Sequence, residues 1–362
     1  MIDPSIVFAQ AYDKEFQNAT RGYSHKEIPL FQAMHSTLVK LGERFDVEEY
    51  HGTAHQVTFT GDGVCARPLA RCELSDLLIV SFSAMSRSVR MTFLQAKSER
   101  RAILSPICGE TYSANLEQWF LLKNRPKITG VGTFNPPEDL LESALLPSVG
   151  SFAFFYKDKD DAFQTYYASA NHLTPSKAYT QRYGRLQGDC QYYKSTSGFC
   201  SKSSGACTSA KSLFGRYIEN SSGHIECLAA CGNRAFAESL FRLEIGTPID
   251  PSVCDTASTR KWLCSNVKAL IKKASRSPNK SSRLAQELLA ALVSGEDGYP
   301  ADHTGKQEIF NRSALGENGE LGGAFGARKL IIIKSSIDPN DSFVSDTSQA
   351  TYRWGIEGTL RL

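Results

Sequence analysis

The sequence contains no apolar run long enough for a membrane helix. Such a helix takes about 18 to 20 consecutive apolar residues, and polar or charged side chains interrupt every hydrophobic segment of this 362-residue chain well before that length. The opening residues, MIDPSIVFAQAYDKE, carry acids where a secretory signal would carry basic residues ahead of an apolar core. We therefore expect a cytoplasmic protein without a membrane contact.

Several motifs of common chemistries are also missing. The glycine-rich stretch before LIIIK matches neither a P-loop nor GxGxxG, there is no GxSxG, and no two cysteines have CxxC spacing. The ten cysteines do not form the framework of a small disulfide-rich domain, so we expect reduced thiols. The helical spacing of Cys227 and Cys231, with Cys200 and Cys207 upstream, leaves a structural zinc site as the alternative.

Charge is nearly balanced overall, but basic residues are concentrated in one segment. The net charge of +3 neither requires nor excludes a nucleic-acid partner. Residues 257–286 contain no acid, and Trp262 and Val267 give the segment an apolar face, which predicts a basic amphipathic helix. A solvated helix face is the alternative to nucleic-acid binding. The candidate phosphate-binding residues here are Lys268, Lys272, Lys273 and Arg276.

A second segment, residues 174–224, is poor in aliphatic side chains and rich in serine, glycine, tyrosine and basic residues. Tyrosines interleaved with cations can stack on bases and neutralise phosphates. A loop-rich connector or insertion explains the same composition. We expect three regions: residues 1–171 as the core, 172–250 as the connector, and 251–362 as a basic, mostly helical region with a final strand.

The most informative stretch is CELSDLLIVSFSAMSRSVRMTFLQAKSER, residues 72–100. Its two apolar, β-branched halves are typical of strands, and the polar SAMSRS between them is typical of a turn. Because side chains alternate along a strand, Gln95 and Lys97 should lie on one side of the second strand. An antiparallel hairpin then brings Asp76 opposite them. A buried carboxylate at this position needs a cation, a metal or water beside it.

An acid on one strand followed by (D/E/Q)-x-K on the next resembles the PD-(D/E)XK nuclease superfamily, in the QxK variant of Mrr-like restriction endonucleases. The resemblance implies a nuclease dependent on Mg²⁺ or Mn²⁺ that hydrolyses phosphodiester bonds, most plausibly in DNA. Asp76 and Gln95 would ligate the metal, with Glu73 as a further acid, and Lys97 would hold the attacking water. The neutral Gln95 replaces a carboxylate, so metal binding should be weaker.

The same resemblance implies a fold and a further residue. In this superfamily the core begins with a helix whose glutamate often reaches the metal site, and Glu27 occupies that place; helix capping explains the same glutamate. The chain reads as helix, strand, hairpin, helix, strand, which matches the α/β, restriction-endonuclease-like αβββαβ core with a mixed central sheet. Arg100 and Arg101, just after Lys97, are suited to phosphates.

The resemblance also implies a bacterial restriction or anti-phage defence setting. An ungated nuclease would endanger its host, so we expect a homodimer or a defence-system partner protein. Two alternatives remain open from the residues. The chain could be a nuclease-fold subunit, catalytically weak or inactive, that binds nucleic acid or a partner, or it could be a scaffold in which the hairpin is only core.

Overall fold

A computed structural model describes residues 4–41, 56–61, 68–83, 88–103, 110–132, 134–177, 182–188, 214–219, 225–249, 257–274, 286, 288–290, 292 and 330–334. Across these residues the protein is α/β, with helices on both faces of a mixed sheet. None of the helices within the described ranges combines the length and the apolar character that a membrane crossing requires.

The described helices and strands follow one another along the chain with these bounds. The helices are α1 (Pro4–Thr20), α2 (Glu27–Leu41), α3 (Leu116–Asn124), α4 (Asn233–Phe241) and α5 (Ala257–Ala274). The strands are β1 (Gln56–Thr60), β2 (Leu69–Glu73), β3 (Leu77–Ser83), β4 (Ser88–Ser98), β5 (Thr111–Asn115), β6 (Thr129–Gly130), β7 (Gly150–Lys157), β8 (Phe163–Ser169), β9 (Leu173–Pro175), β10 (Tyr183–Gly188), β11 (Phe214–Glu219), β12 (Ile225–Cys231), β13 (Thr247–Pro248) and β14 (Leu330–Lys334).

The central sheet has eight strands, in the order β11-β12-β8-β7-β4-β3-β14, with β13 alongside β4. The β4–β7 and β3–β14 pairs are parallel, and the other pairs are antiparallel. Two smaller antiparallel sheets, β2-β1-β6 and β5-β10-β9, accompany it. The α/β class and the mixed sheet predicted from the sequence are therefore confirmed.

Strand alternation divides the core into two layers. On one face, Leu77, Ile79 and Leu94 pack with α1, α2 and α4. On the other, Leu78 and Phe93 pack with α3, α5 and the small sheets. Both faces of β3 and β4 are thus covered, which explains why these strands read as nearly continuous apolar runs.

Apolar residues recur every three to four positions from Ile28 to Phe45, which predicts an amphipathic helix, and α2 follows this stripe. Phe31, Met34 and Leu38 are buried, whereas Ile28, in the first turn, is 58% exposed. The helix begins at Glu27 and accommodates Pro29 in its first turn, where the missing N–H has no helical acceptor. Phe45, predicted as the last residue of the stripe, lies outside the described residues.

The predicted strand CELSDLLIVSF is two strands. Strand β2 ends at Glu73 and pairs with β1, and β3 begins at Leu77 and pairs with β4. The chain changes sheets between these residues, so Asp76 immediately precedes a strand and is not embedded in one. The β3–β4 hairpin itself is confirmed, from Leu77 opposite Leu94 to Ser83 opposite Ser88.

The stretch SANLEQWFLLK predicts a helix capped by Ser113, but α3 starts later, at Leu116. Residues Thr111–Asn115 form β5, so Ser113 is not the cap. The side chain of Asn115 caps the helix by accepting a hydrogen bond of 2.9 Å from the backbone N–H of Glu117. The helix ends where Arg125 adopts a left-handed conformation with φ of 52°.

The predicted strands around the hairpin form, but not in the predicted arrangement. QVTFT (β1) and the two-residue β6 belong to a small sheet with β2, outside the central sheet. The strand after α3 that joins the central sheet is β7, parallel to β4. The two strand-like runs at residues 152–156 and 163–168 predict a hairpin appended to the core, but this β7–β8 hairpin lies in the middle of the central sheet.

The later regions also contribute to this sheet. The stretch predicted to be a loop-rich connector supplies β9 to β12 and α4, and β12 pairs with β8. The basic segment forms α5, and the predicted final strand is β14, which pairs with β3.

Candidate active site

The carboxylate of Asp76 is fixed by the backbone of the β3–β4 hairpin. The N–H of Asp76 donates at 3.0 Å to the carbonyl of Leu94, the residue that pairs with Leu77, so the register shifts by one residue at Asp76. The N–H of Ala96 donates to Oδ2 of Asp76 at 2.9 Å. The carboxylate therefore accepts a hydrogen bond that a backbone carbonyl would accept if the β3–β4 pairing continued. The hairpin thus fixes the position of Asp76.

Lys97 joins this carboxylate to a second one. Its Nζ lies 3.2 Å from Oε1 of Glu27 and 3.8 Å from Oδ2 of Asp76. Glu27 opens α2, so the contact connects a helix of one face to the end of β4. The side chain of Lys97 is 13% exposed and that of Glu27 is 39% exposed, so solvent reaches this cluster.

Gln95 is buried without a hydrogen-bond partner among the described residues. The residue is 0% exposed, and neither its Oε1 nor its Nε2 is bonded there. An unsatisfied buried polar group costs about 1–3 kcal/mol. A leucine or methionine would fill the position without that cost, so the amide requires an explanation of its own.

The side chains at this end of the hairpin fit a hard divalent cation. Asp76, Glu27 and Gln95 offer oxygen ligands, which Mg²⁺ and Mn²⁺ prefer. Within the described ranges no three His, Cys, Asp or Glu residues form a metal-binding group. The set therefore fits a metal only with the Gln95 carbonyl as a ligand, and Oε1 of Gln95 is an acceptor with no donor among the described residues.

The site lies at the carboxyl ends of the parallel strands β4 and β7, where α/β sheets commonly bind ligands. Glu99, which the sequence analysis did not single out, is the next acid after Lys97 and lies one residue beyond β4. It accepts hydrogen bonds from Nη2 of Arg185 at 2.8 Å and from the N–H of Ser113 at 3.3 Å. The sequence feature that could have identified Glu99 as a candidate is its position two residues after Lys97. Its bonds connect this end of β4 to the β5-β10-β9 sheet.

The other predicted site residues are placed as follows. Glu73 ends β2 opposite Gln56, in a different sheet from Asp76. Arg100 is exposed just beyond β4, and Arg101 pairs with Glu110. Their predicted roles as a metal ligand and phosphate contacts stay predictions.

The basic helix forms as predicted. On α5, Trp262, Leu263 and Val267 are buried, while Lys261 and Lys268 face solvent. Lys272 and Lys273 lie within the helix, but their side chains are outside the described part of the chain, as is the whole of Arg276.

The premise for a zinc site is wrong in one respect. Cys227 and Cys231 lie on a strand, β12, and not on a helix. A bulge in the β11–β12 register leaves Cys227 in one core layer and Cys231 against the other. Neither forms a disulfide bond among the described residues, and Cys200 and Cys207 lie outside those residues.

A second charged cluster lies at the opposite end of β4. Arg90 is 7% exposed and donates from Nη1 to the carbonyl of Gly246 at 3.0 Å. Glu226 is 1% exposed and accepts from the N–H of Ser148 at 2.9 Å. Burial raises the pKa of Glu226 and lowers the pKa of Arg90, while each charge partly offsets the other's shift. Burial also raises the pKa of Glu244 to about 7.

Comparisons of this chain with protein-family models, curated proteins and solved structures each found no match. Its function has to be inferred from the side chains that the fold brings together.

Proposed function

We propose that the chain is a divalent-metal-dependent nuclease whose active site is the cluster of Asp76, Gln95, Lys97 and Glu27. The observation that carries the proposal is the contact of one lysine ammonium with two carboxylates, at 3.2 and 3.8 Å, beside a buried amide without a described partner. Two carboxylates and an ammonium meet beside the last residues of β4, and Gln95 lies two residues before Lys97 on that strand. A fold gains little stability from such a cluster, whereas phosphodiester hydrolysis needs each of its members.

The residues divide the work by their chemistry. Asp76 and Glu27 supply negative oxygens for Mg²⁺ or Mn²⁺, and Gln95 supplies a neutral one. A bound divalent cation lowers the pKa of a ligated water and offsets charge on the phosphate. The ammonium of Lys97 donates hydrogen bonds, so it can orient the attacking water and stabilise the charge that develops on the phosphate oxygens. The backbone bond from Ala96 keeps Asp76 in place throughout.

DNA is the proposed substrate, and the defence setting and a dimeric or partner-bound state belong to the same proposal. These points rest on the resemblance of Asp76 with Gln95-Ala96-Lys97 to the QxK nucleases. The αβββαβ core is proposed in a modified form, with α2 as the first helix, β3 and β4 as the hairpin, and α3 leading to β7.

A cleavage assay tests the proposal. We expect the purified protein to nick DNA with Mn²⁺, and Asp76→Ala and Lys97→Ala to lower the rate by at least about 100-fold. Single- and double-stranded DNA and RNA should be compared. The matched control is Lys40→Ala, which removes another lysine–glutamate ion pair on α2, with Glu15, away from β4. Lys40→Ala should cleave as the unmodified protein does.

Two results would contradict the assignment as a nuclease: no cleavage of any of these substrates under Mn²⁺ with candidate partners supplied, or full activity in Lys97→Ala.

A second candidate function, nucleic-acid binding without cleavage, has its own supporting observation. Lys97 already contacts both carboxylates and offsets one of their two charges, and Gln95 adds no charge, so the fold can hold this cluster without a metal. A subunit that binds nucleic acid but has lost its chemistry would retain binding in EDTA and never cleave.

A further inference from the structure

The β5-β10-β9 sheet has one face in the core and one face in solvent. Tyr112 and Leu186 point inward and are buried in the core layer that contains α3. On the outer face, Ser113 and Tyr183 are exposed and Arg185 is partly exposed. The outer face is polar except for one large aromatic ring.

That ring is the most exposed large apolar side chain of the described residues. Tyr183 is 67% exposed. The guanidinium of Arg182 lies over the ring, 5.7 Å from its centroid, and Nε of Arg182 pairs with Glu117 of α3 at 3.1 Å. The arginine is held in place by the core helix and in turn restrains the ring, so a planar group can stack there at a low entropic cost.

The charges around the ring are arranged with the cations outermost. Arg182, Arg185 and Arg101 each pair with a glutamate. The arginine side chains are 42%, 39% and 58% exposed, whereas those of their partners Glu117, Glu99 and Glu110 are 3%, 6% and 29% exposed. Arg100 adds a further exposed cation. The surface therefore presents guanidinium groups to solvent although its formal charges nearly cancel, which suits an anionic partner.

This surface is continuous with the candidate active site. Glu99 lies two residues after Lys97 on the same extended chain, which is about 7 Å. Glu99 bonds directly to Arg185, and Tyr183 lies two residues before Arg185 on β10, about 7 Å further. A polymer bound along β10 would lead towards Lys97.

We propose that the outer face of the β5-β10-β9 sheet binds a single-stranded nucleic acid, with a base stacked on Tyr183 and phosphates contacted by Arg182, Arg185 and Arg101. The occupant is a single strand because the bases of a duplex are stacked on each other and offer no free face to a side chain. The inference rests on the proposed function in one respect, because it takes the bound nucleic acid to be the one that the active site cuts. That nucleic acid is either a single-stranded substrate or the unpaired end of a duplex.

Binding measured without catalysis tests this surface separately from the nuclease. Fluorescence anisotropy in EDTA would report the affinity for labelled single-stranded DNA, single-stranded RNA and a duplex of the same sequence. We expect Tyr183→Ala to weaken single-strand binding by about tenfold, since the stacking of one base on an aromatic ring is worth this factor or more. Tyr183→Phe keeps the ring and should bind as before. Duplex affinity should change by less than about twofold.

The matched control is Leu69→Ala. Leu69 is 61% exposed on the other small sheet, so its replacement removes a comparable exposed apolar side chain away from β10. Leu69→Ala should leave all affinities unchanged. The proposal is overturned if Tyr183→Ala binds single strands within twofold of the unmodified protein, or if it loses duplex and single-strand affinity equally. A chain that shows Tyr183-dependent binding but never cleaves with Mn²⁺ would overturn the nuclease and leave this surface standing.

Discussion

The two ends of strand β4 hold a basic side chain in contrasting ways. At the beginning, Arg90 is nearly inaccessible, donates to the Gly246 carbonyl, and balances the buried Glu226. Near the end, Lys97 contacts acids from α2 and from the residue before β3, and solvent reaches the cluster. The first cluster ties β4 to β12 and to the segment after α4. The second connects elements that are already held by their own apolar packing.

The comparison indicates that the charge of Arg90 is needed for the stability of the fold, whereas the charge of Lys97 contributes less to it. At the Arg90 end, the side chains of Arg90 and Glu226 form hydrogen bonds with the backbone of Gly246 and Ser148. At the Lys97 end, the neighbouring Gln95 is buried without a described partner. A protein that keeps an unsatisfied amide next to an accessible ammonium gives up stability there, and such sites are commonly functional.

The largest effect expected from this contrast is on unfolding. Arg90→Met should lower the free energy of unfolding by about 3–5 kcal/mol, because it removes the hydrogen bond to Gly246 and a cation that offsets the buried Glu226. Lys97→Met should cost less, about 1–2 kcal/mol, since its partner Glu27 is 39% exposed and the buried Asp76 keeps the hydrogen bond from Ala96. Urea denaturation followed by circular dichroism measures both. Equal losses in the two variants would remove the distinction between the two ends.

Glu244 gives the Arg90 end a pH dependence of predictable sign. Burial, with a contribution from Glu238, raises its folded pKa to about 7, from 4.5. The group's stabilising contribution is present below pH 4.5 and is lost as the pH rises through 7. Glu244→Gln should therefore be more stable than the unmodified protein at pH 8, by about 1–3 kcal/mol, and similar to it at pH 4. Parallel stability profiles for the two proteins between pH 4 and 8 would disprove the assignment.

The smallest predicted effect on stability concerns Gln95, at the Lys97 end of β4. Gln95→Met removes the unsatisfied amide at nearly constant volume, so the free energy of unfolding should rise by about 1–2 kcal/mol while cleavage falls. Asn115→Ala is the control, because it removes a satisfied amide that caps α3 and should lose about 1 kcal/mol. Thermal unfolding together with the Mn²⁺ cleavage assay decides the matter. A loss of stability in Gln95→Met would mean that the amide is structural.

The hairpin was predictable because alternation and β-branched composition are local properties. The predicted hairpin brought Asp76 near Lys97, and the structure has that contact, although the pairing shifts by one residue before Leu77. The position of β7 next to β4 was not predictable, since neighbours in a sheet are chosen by long-range packing. The Asn115 cap was missed because Ser113 has the same capping chemistry two residues earlier, and only the pairing of β5 with β10 excludes it.

The buried pair at the Arg90 end was missed for a different reason. An isolated arginine in SVRMTF and an isolated glutamate in IECLAAC were visible as charges within apolar strands. Nothing local shows that they approach each other, because Arg90 and Glu226 lie on strands that are not neighbours in the sheet. Tyr183 was visible only as one of several tyrosines, and its exposure is a property of the fold.

The parallel pairing of β14 with β3 bears on the order in which the protein is made. Leu330 pairs with Leu78, so the edge of the strand that follows Asp76 is covered only after the ribosome has made residues 330–334, about 250 residues later. Until then LLIVSF is an apolar strand with an unpaired edge, a feature prone to aggregation. A chain interrupted during synthesis before residue 330 would have the candidate catalytic residues without β14 to cover the edge of β3.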